Sequence, residues 1–282
     1  MDTLNIVTVV KNDHASLELT INSVFSLAQK LPKVNFLHHI QDGGNVDQKI
    51  FFMSIIKKMH VRLNFKIMYS QSLDAGIFDA MNKAASKFNI GDLVLFMNAG
   101  DTFSENINFE KLLFAIRDFK NRKETICFFR SMNYYRDTVY FMPPKNIKST
   151  VKFKPWLEKN TPVHQAVIFK CCDLYELKYC NSFKIQADSY LIFNILTNFS
   201  KPVFYDIDFC DFNLGGYSGN YKSFKKVCTH LREQLTLMSL KKQSMYLMFL
   251  TALIFFSKYL LHNLLKENFI YLHAKVNQLF KN

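Results

Sequence analysis

Five aspartates in this chain stand where an apolar run gives way to a polar turn or a helix start. Asp42 falls in Gln41-Asp-Gly-Gly44, after the apolar stretch Val34 to Ile40. Asp74 and Asp79 flank Gly76 in Ser72-Leu-Asp-Ala-Gly-Ile-Phe-Asp-Ala-Met-Asn-Lys83, and Asp101 closes Asn98-Ala-Gly-Asp after the run Leu93 to Met97. Asp188 lies in the first turn of a helical stretch, Ile185 to Leu196, and a polar pair, His164 and Gln165, directly precedes the apolar run ending at Phe169. Carboxylates so placed hold a cation or accept a proton. Each also has a plainer reading. Asp101 can cap the next helix, Asp42 can be a turn residue, and Asp79 can be a first-turn acid favoured by the helix dipole. Asp188 can equally be a helix-capping acid, and a lone His164 can be structural.

The elements that would position these groups follow from hydrophobic spacing. Asn5 to Val10 is a β-branched run that breaks at Lys11-Asn12-Asp13. Leu17, Ile21, Val24, Ala28 and Leu31 then mark one helix face, closed by Pro32. A strand over Val34 to Ile40 leads to a helix on Phe52, Ile55, Ile56 and Met59, and a third strand fits Phe65 to Tyr69. The next helix carries Ile77, Met81, Ala84 and Phe88 on its apolar side. Strand starts near 5, 34, 65 and 92 recur about every thirty residues, as in successive βα units. This spacing predicts an α/β fold with a mostly parallel central sheet and helices on both faces. An acid at the carboxyl end of a central strand then sits where open α/β sheets bind ligands. Phe109, Leu112, Leu113, Ile116 and Phe119 mark a further helix, and Thr125 to Phe141 reads as strands with a hairpin at Arg136-Asp137.

Charge is uneven. The 282 residues carry a net charge of +13, and residues 222–282 hold ten Lys or Arg against Glu233 and Glu267, so +8 of it lies in the tail. That distribution argues against a nucleic-acid-binding surface. Six cysteines without C-x-x-C spacing read as reduced thiols, not a metal site or a disulfide framework. No basic cluster precedes the short run Ile6 to Val10, so no secretory signal is expected. Met245 to Phe256 is free of charge, and even to Leu261 it falls short of the roughly 20 residues of a spanning helix. Leu261, Leu265, Phe269, Leu272, Val276 and Leu279 follow as a stripe opposite His262, Lys266, Glu267, His273 and Lys275. Such a helical tail suits an anionic membrane surface; packing on the chain's own core, or on a twin subunit in a homodimer, is the alternative.

The motifs Thr8-Val-Val-Lys-Asn12, Leu19-Thr-Ile-Asn-Ser-Val24, Ile40-Gln-Asp-Gly-Gly44, Asp74 to Lys83, Gly91-Asp92 and Phe96-Met-Asn-Ala-Gly-Asp101 occur in order. Together with His164-Gln-Ala166, Asp188 and Leu214-Gly-Gly-Tyr-Ser218, they resemble the bacterial family 2 glycosyltransferases of the colanic-acid and O-antigen type. The resemblance covers roughly residues 4 to 220. It implies the glycosyltransferase A fold in residues 1–221, with a nucleotide-sugar half (1–101) and an acceptor half (102–221); the basic amphipathic tail (222–282) lies outside it. It implies inverting transfer of a sugar from a nucleotide-diphosphate sugar to a hydroxyl of a growing glycan; with the membrane reading of the tail, the acceptor expected is a lipid-linked oligosaccharide. The location expected is the cytoplasmic face of the cell membrane, as a peripheral protein.

By the resemblance, Asp101 holds a divalent metal, Mn²⁺ or Mg²⁺, and Asp188 is the catalytic base. Val10, Lys11, Asn12, Asp42, Asp74, Gly76, Asp79, Asn82 and Asn98 line the donor side. His164 and Gln165 border the acceptor or diphosphate, and Gly215, Gly216 and Ser218 form a closing loop. The usual D-x-D pair is altered, with Asn98 in place of the first acid, which leaves a non-catalytic nucleotide-sugar-binding scaffold as the alternative. The Gln-x-x-Arg-Trp signature of processive synthases is absent, which points to transfer of a single sugar.

Overall fold

The computed structural model describes residues 2–44, 52, 54–55, 64–171, 178–213, 223–265, 268, 271–272, 275–276 and 278. Four strands make the first half of the sheet: β1 (Asp2–Val10), β2 (Val34–Asp42), β3 (Phe65–Gln71) and β4 (Leu93–Asn98). They lie side by side in the order β3-β2-β1-β4, all parallel. Parallel strands are buried on both faces and need unbroken apolar runs, and Leu93 to Met97 is wholly buried. Between them run α1 (His14–Lys30) and α2 (Ile77–Ala85). On α2 the buried face is Phe78, Met81 and Ala84, while Ile77, expected inside, is exposed because it sits at the helix mouth. Phe52 and Ile55 are buried as expected; Ile56 and Met59 lie outside the described residues.

The second half is mixed. It contains β5 (Thr102–Phe103), α3 (Phe109–Asn121), β6 (Ile126–Tyr135), β7 (Thr138–Met142), α4 (Thr150–Lys159) and β8 (Val167–Lys170). It closes with α5 (Ala187–Asn198) and β9 (Val203–Asn213). The expected hairpin is present: Tyr135 pairs with Thr138 across Arg136 and Asp137, and Arg136 has φ +55°. The full strand order is β3-β2-β1-β4-β8-β6-β9-β5, with β7 on β6. Strand β8 is antiparallel to both neighbours, β9 is parallel to β6, and β5 is antiparallel to β9. Only three residues separate β4 from β5, so the far edge must curl back toward β4.

Alternation along β4 divides the core. Leu93, Leu95 and Met97 meet Val24 and Ala28 of α1 and Leu112, Ile116 and Phe119 of α3. Val94 and Phe96 face the other side, against Met81 of α2, Phe153 of α4 and Leu191 and Ile195 of α5. A buried arginine ties the second half together. Arg130 on β6 pairs with Asp206 and, at 3.2 Å, with Asp208 on β9, and donates to the carbonyls of Pro143 and Ile147.

The tail has two unlike helices. α6 (Phe224–Leu240) packs on the body through buried Glu233, Leu237 and Met238. α7 (Met245–Leu265) folds back on it, with Phe255 against Val227 and Leu231. At 21 residues α7 is about 31 Å long. The apolar stretch is thus longer than the sequence suggested, because the helix continues through Ser257 and Lys258; it is long and apolar enough to cross a membrane. Leu272 and Val276 of the expected stripe are exposed; Phe269 and Leu279 lie outside the described residues.

Candidate active site

The turn between β4 and β5 is held from α1. The Thr20 hydroxyl donates to the Asp101 carbonyl at 2.8 Å and accepts from the Gly100 N–H at 2.9 Å. Gly100 has φ +98°, where a side chain would be strained. The Asp101 carboxylate folds back over the strand end, and its Oδ2 accepts the Asn98 N–H at 2.8 Å. It does not cap the next helix: Asn108 caps α3, accepting from the Lys111 N–H at 3.0 Å. Thr20 was not anticipated; its signal is a hydroxyl set among Leu17, Ile21 and Val24 on the inner face of α1.

Because β8 runs against β4, its start lies at the carboxyl end of β4. Leu95 pairs with Ile168, and the same register carries Gln165 level with Asn98. The Gln165 amide donates to Asp101 Oδ2 at 2.7 Å. The Asn98 amide nitrogen lies 3.2 Å from His164 Nε2. An amide nitrogen only donates, so Nε2 accepts and the ring proton sits on Nδ1. That Nδ1 faces Asp188 Oδ2 at 3.5 Å. Asp188 is partly exposed in the first turn of α5, and its Oδ1 accepts the Ser189 N–H at 2.7 Å. Asn98, Asp101, His164, Gln165 and Asp188 therefore form one connected group drawn from three distant stretches.

Burial pushes the Asp101 carboxyl above its ordinary pKa, against the pull of Gln165, His164 and the Asn98 N–H. Both hydrogen bonds to that carboxylate fall on Oδ2. The side-chain carbonyl oxygens of Asn98 and Gln165 are buried without a donor. One carboxylate and two unpartnered amide oxygens are the donor set a hard cation such as Mg²⁺ or Mn²⁺ takes. Among the described residues no cluster of three His, Cys, Asp or Glu side chains is present, so such an ion would rest on a single acid. A further acid missed in the sequence, Asp211, pairs with Thr102 at this edge; burial raises its pKa, and its Oδ1 is buried and unpartnered.

Beside this group a cleft of about 480 Å³ opens between Val9–Lys11 and the turn Asp74–Ile77. It brings together four of the expected residues: Val10, Lys11, Asp74 and Gly76. Asp74 Oδ1 accepts the Gly76 N–H at 2.9 Å, while its Oδ2 lies 1.7 Å from where a Cβ on Gly43 would stand. Asn12 crowds Gly44 in the same way, with Oδ1 at 2.4 Å. A Cβ at either glycine would displace the Asp74 or Asn12 side chain. Asp42 is fully enclosed, accepting from the Gly44 N–H and the Tyr69 hydroxyl, each at 2.7 Å, so it holds the turn from behind.

Two expected donor-side residues have their polar atoms engaged elsewhere. Asp79 accepts the Ala75 N–H at 2.9 Å and pairs with Lys83 at 2.8 Å, the part of a first-turn acid. Asn82 grips the main chain of Tyr179 from both sides, donating at 2.9 Å and accepting at 3.0 Å. Gly215, Gly216 and Ser218 lie outside the described residues. A larger groove of about 660 Å³ runs between α4, α5 and the α6–α7 turn. It reaches the neighbourhood of Asp188 only through Ser189 and contains none of the site's acids.

The curled α/β sheet, with helices on both faces and an acid at the end of its central parallel strand, is the glycosyltransferase A fold. S. aureus TarS residues 1–349 in complex with UDP-GlcNAc are 14% identical, with a TM-score of 0.58 over 84% of this chain and 66% of that one. The UDP complex of the same fragment gives 14% and 0.56 over 83% and 66%. The mannosyltransferase PcManGT from Pyrobaculum calidifontis, in complex with GDP-Man and Mn²⁺, is 12% identical, with a TM-score of 0.53 over 98% and 86%. The chain spans about two thirds of the TarS fragment it matches. No protein-family model and no curated protein sequence matches this chain.

Proposed function

We propose that the protein is an inverting glycosyltransferase. It moves one sugar from a nucleotide-diphosphate sugar to a hydroxyl of a lipid-linked glycan in bacterial surface-polysaccharide synthesis. The observation that carries this reading is the joining of Asp101 to Asp188 through Asn98, His164 and Gln165, next to the Asp74–Lys11 cleft. TarS and PcManGT share the fold and were solved with UDP-GlcNAc and with GDP-Man, which supports a nucleotide sugar as donor.

In this reading the donor lies in the cleft with its diphosphate toward Asp101. Asp101, Asn98 and Gln165 would hold Mn²⁺ or Mg²⁺, which when bound neutralises charge gathering on the leaving diphosphate. The acceptor oxygen attacks the anomeric carbon opposite the breaking bond, and its proton passes to Asp188. The His164 Nδ1–H turns the Asp188 carboxylate toward that proton. Asp188→Asn is expected to lower transfer by about 10²–10⁴-fold, the usual contribution of a general base. It should leave unaltered the thermal shift that UDP or GDP produces with Mn²⁺. Wild-type turnover in Asp188→Asn would refute the assignment.

The tail serves the acceptor. Met245, Phe249, Leu253, Ile254, Leu260 and Leu264 are each at least half exposed. Fully burying such a side chain is worth roughly 1.5–3 kcal/mol, and in water each forfeits about half of that or more. Lipid on the inner face of the cytoplasmic membrane supplies that burial, and the tail's lysines suit its anionic headgroups. Deleting residues 241–282 is expected to abolish flotation with anionic vesicles while the nucleotide-induced thermal shift persists. Unchanged flotation would remove the membrane role.

A further inference from the structure

Glu233 is one of two acids in the last 61 residues, and it is almost completely buried. Its two carboxylate oxygens accept three consecutive main-chain N–H groups, those of Lys184 at 2.7 Å, Ile185 at 3.0 Å and Gln186 at 2.9 Å. Three residues earlier on the same helix, the His230 carbonyl accepts from the Gln186 side chain at 3.3 Å. The gripped segment leads directly into α5, and Asp188 follows two residues after Gln186. Gln186 makes no side-chain cap of its own, so this anchorage comes from α6 and not from the α5 sequence.

A buried carboxylate is tolerated only when hydrogen-bonded, and bonds from N–H groups to an ionised oxygen are among the stronger ones. A run of three amides converging on one charge fixes the path of the backbone that supplies them. Asp188 is correctly aimed only if the α5 start is fixed, because its Oδ2 must meet His164 Nδ1 across a gap of 3.5 Å.

We propose that Glu233 is a positioning residue for Asp188, holding the Lys184–Gln186 segment so that the Asp188 carboxylate stays directed at His164. The role rests on Asp188 being the catalytic base. It also makes α6 part of the frame of the active site. The far side of α6 carries Val227 and Leu231 against Phe255 of α7, so the same helix touches both the apolar tail helix and the segment that aims the base.

The test uses the full chain in detergent micelles with isotope-labelled histidine, and the His164 ring signal is assigned by its loss in His164→Gln. Asp188→Asn supplies the position of that signal when the pair is broken. Glu233→Ala is expected to move the His164 signal toward the Asp188→Asn position. Glu233→Gln should move it less, because one acceptor oxygen is retained. Alongside, turnover should fall at least tenfold in Glu233→Ala with donor KM changed less than twofold. A His164 signal at the wild-type position in folded Glu233→Ala overturns the proposal. If that variant does not fold, the same comparison on Glu233→Gln decides it. Wild-type turnover in Asp188→Asn would instead strike the base assignment, and the histidine signals would still report whether Glu233 sets the geometry.

Discussion

The two halves of the sheet assemble their polar groups by different means. In the parallel half each of the strand-end acids has a local bond. Asp42 bonds Gly44, Asp74 bonds Gly76, and Asp101 bonds Asn98, all within three residues. On the other side the partners are remote in sequence. Asp188 meets His164, Arg130 meets Asp206 and Asp208, and Glu233 meets Lys184 to Gln186. In the parallel half the acids stand at strand ends, where turn chemistry holds them, while buried Asn5, Thr8 and His38 pair across neighbouring strands. Beyond that half the buried charges of Arg130 and Glu233 find all their partners at a distance in sequence.

The largest test of this contrast lies in the second half. Arg130→Met would strand two aspartates that are only partly exposed, Asp206 at 32% and Asp208 at 22%. It would also leave the carbonyls of Pro143 and Ile147 without their donor, at about 1–3 kcal/mol for each buried group. A drop of at least about 2 kcal/mol in urea unfolding is expected, with the nucleotide thermal shift preserved in the remaining folded protein. A negligible change would mean that Arg130 does not anchor this half.

A smaller effect of opposite character is expected at Gly43. In Gly43→Ala the new Cβ meets Asp74 Oδ2, which must move. Overpacking of this kind costs about 1–3 kcal/mol. The main loss should appear in the UDP or GDP thermal shift, since Asp74 walls the cleft. Unimpaired nucleotide binding would place the donor elsewhere.

The subtlest test is electrostatic. Burial raises the Asp101 pKa in the folded chain above its ordinary 3.8. A folded state that binds a proton more tightly than the unfolded chain loses stability as pH rises through that window. Asp101→Asn should therefore melt higher than wild type at pH 7, by about 2–4 °C for each kcal/mol relieved. The gain should fade as pH falls through the raised Asp101 pKa, where the wild-type carboxylate takes up its proton. A difference that does not vary with pH would show that burial does not penalise this charge.

Much of the parallel half was legible because its determinants are short-range. Apolar runs at about thirty-residue intervals located β1 to β4, and glycine and aspartate at their ends located Asp42, Asp74 and Asp101. Nothing near Asn82 in the sequence reveals that the Tyr179 main chain will occupy both ends of its amide. The sequence reading also followed the apolar tail only as far as Leu261, whereas the helix carries Lys258 without ending and runs to Leu265.

By itself the sequence determined the α/β class, the parallel half and the acids at its strand ends, because periodicity and turn chemistry act over a few residues. Tertiary structure alone decided that Gln165 reaches Asp101 and that His164 links Asn98 to Asp188. Those contacts follow from the antiparallel register of β8, which no single segment encodes. It also decided that Glu233, in what reads as a basic tail, holds the start of the helix that carries Asp188. A buried carboxylate takes the nearest unpaired amides, and only the packing of α6 against α5 brings them there.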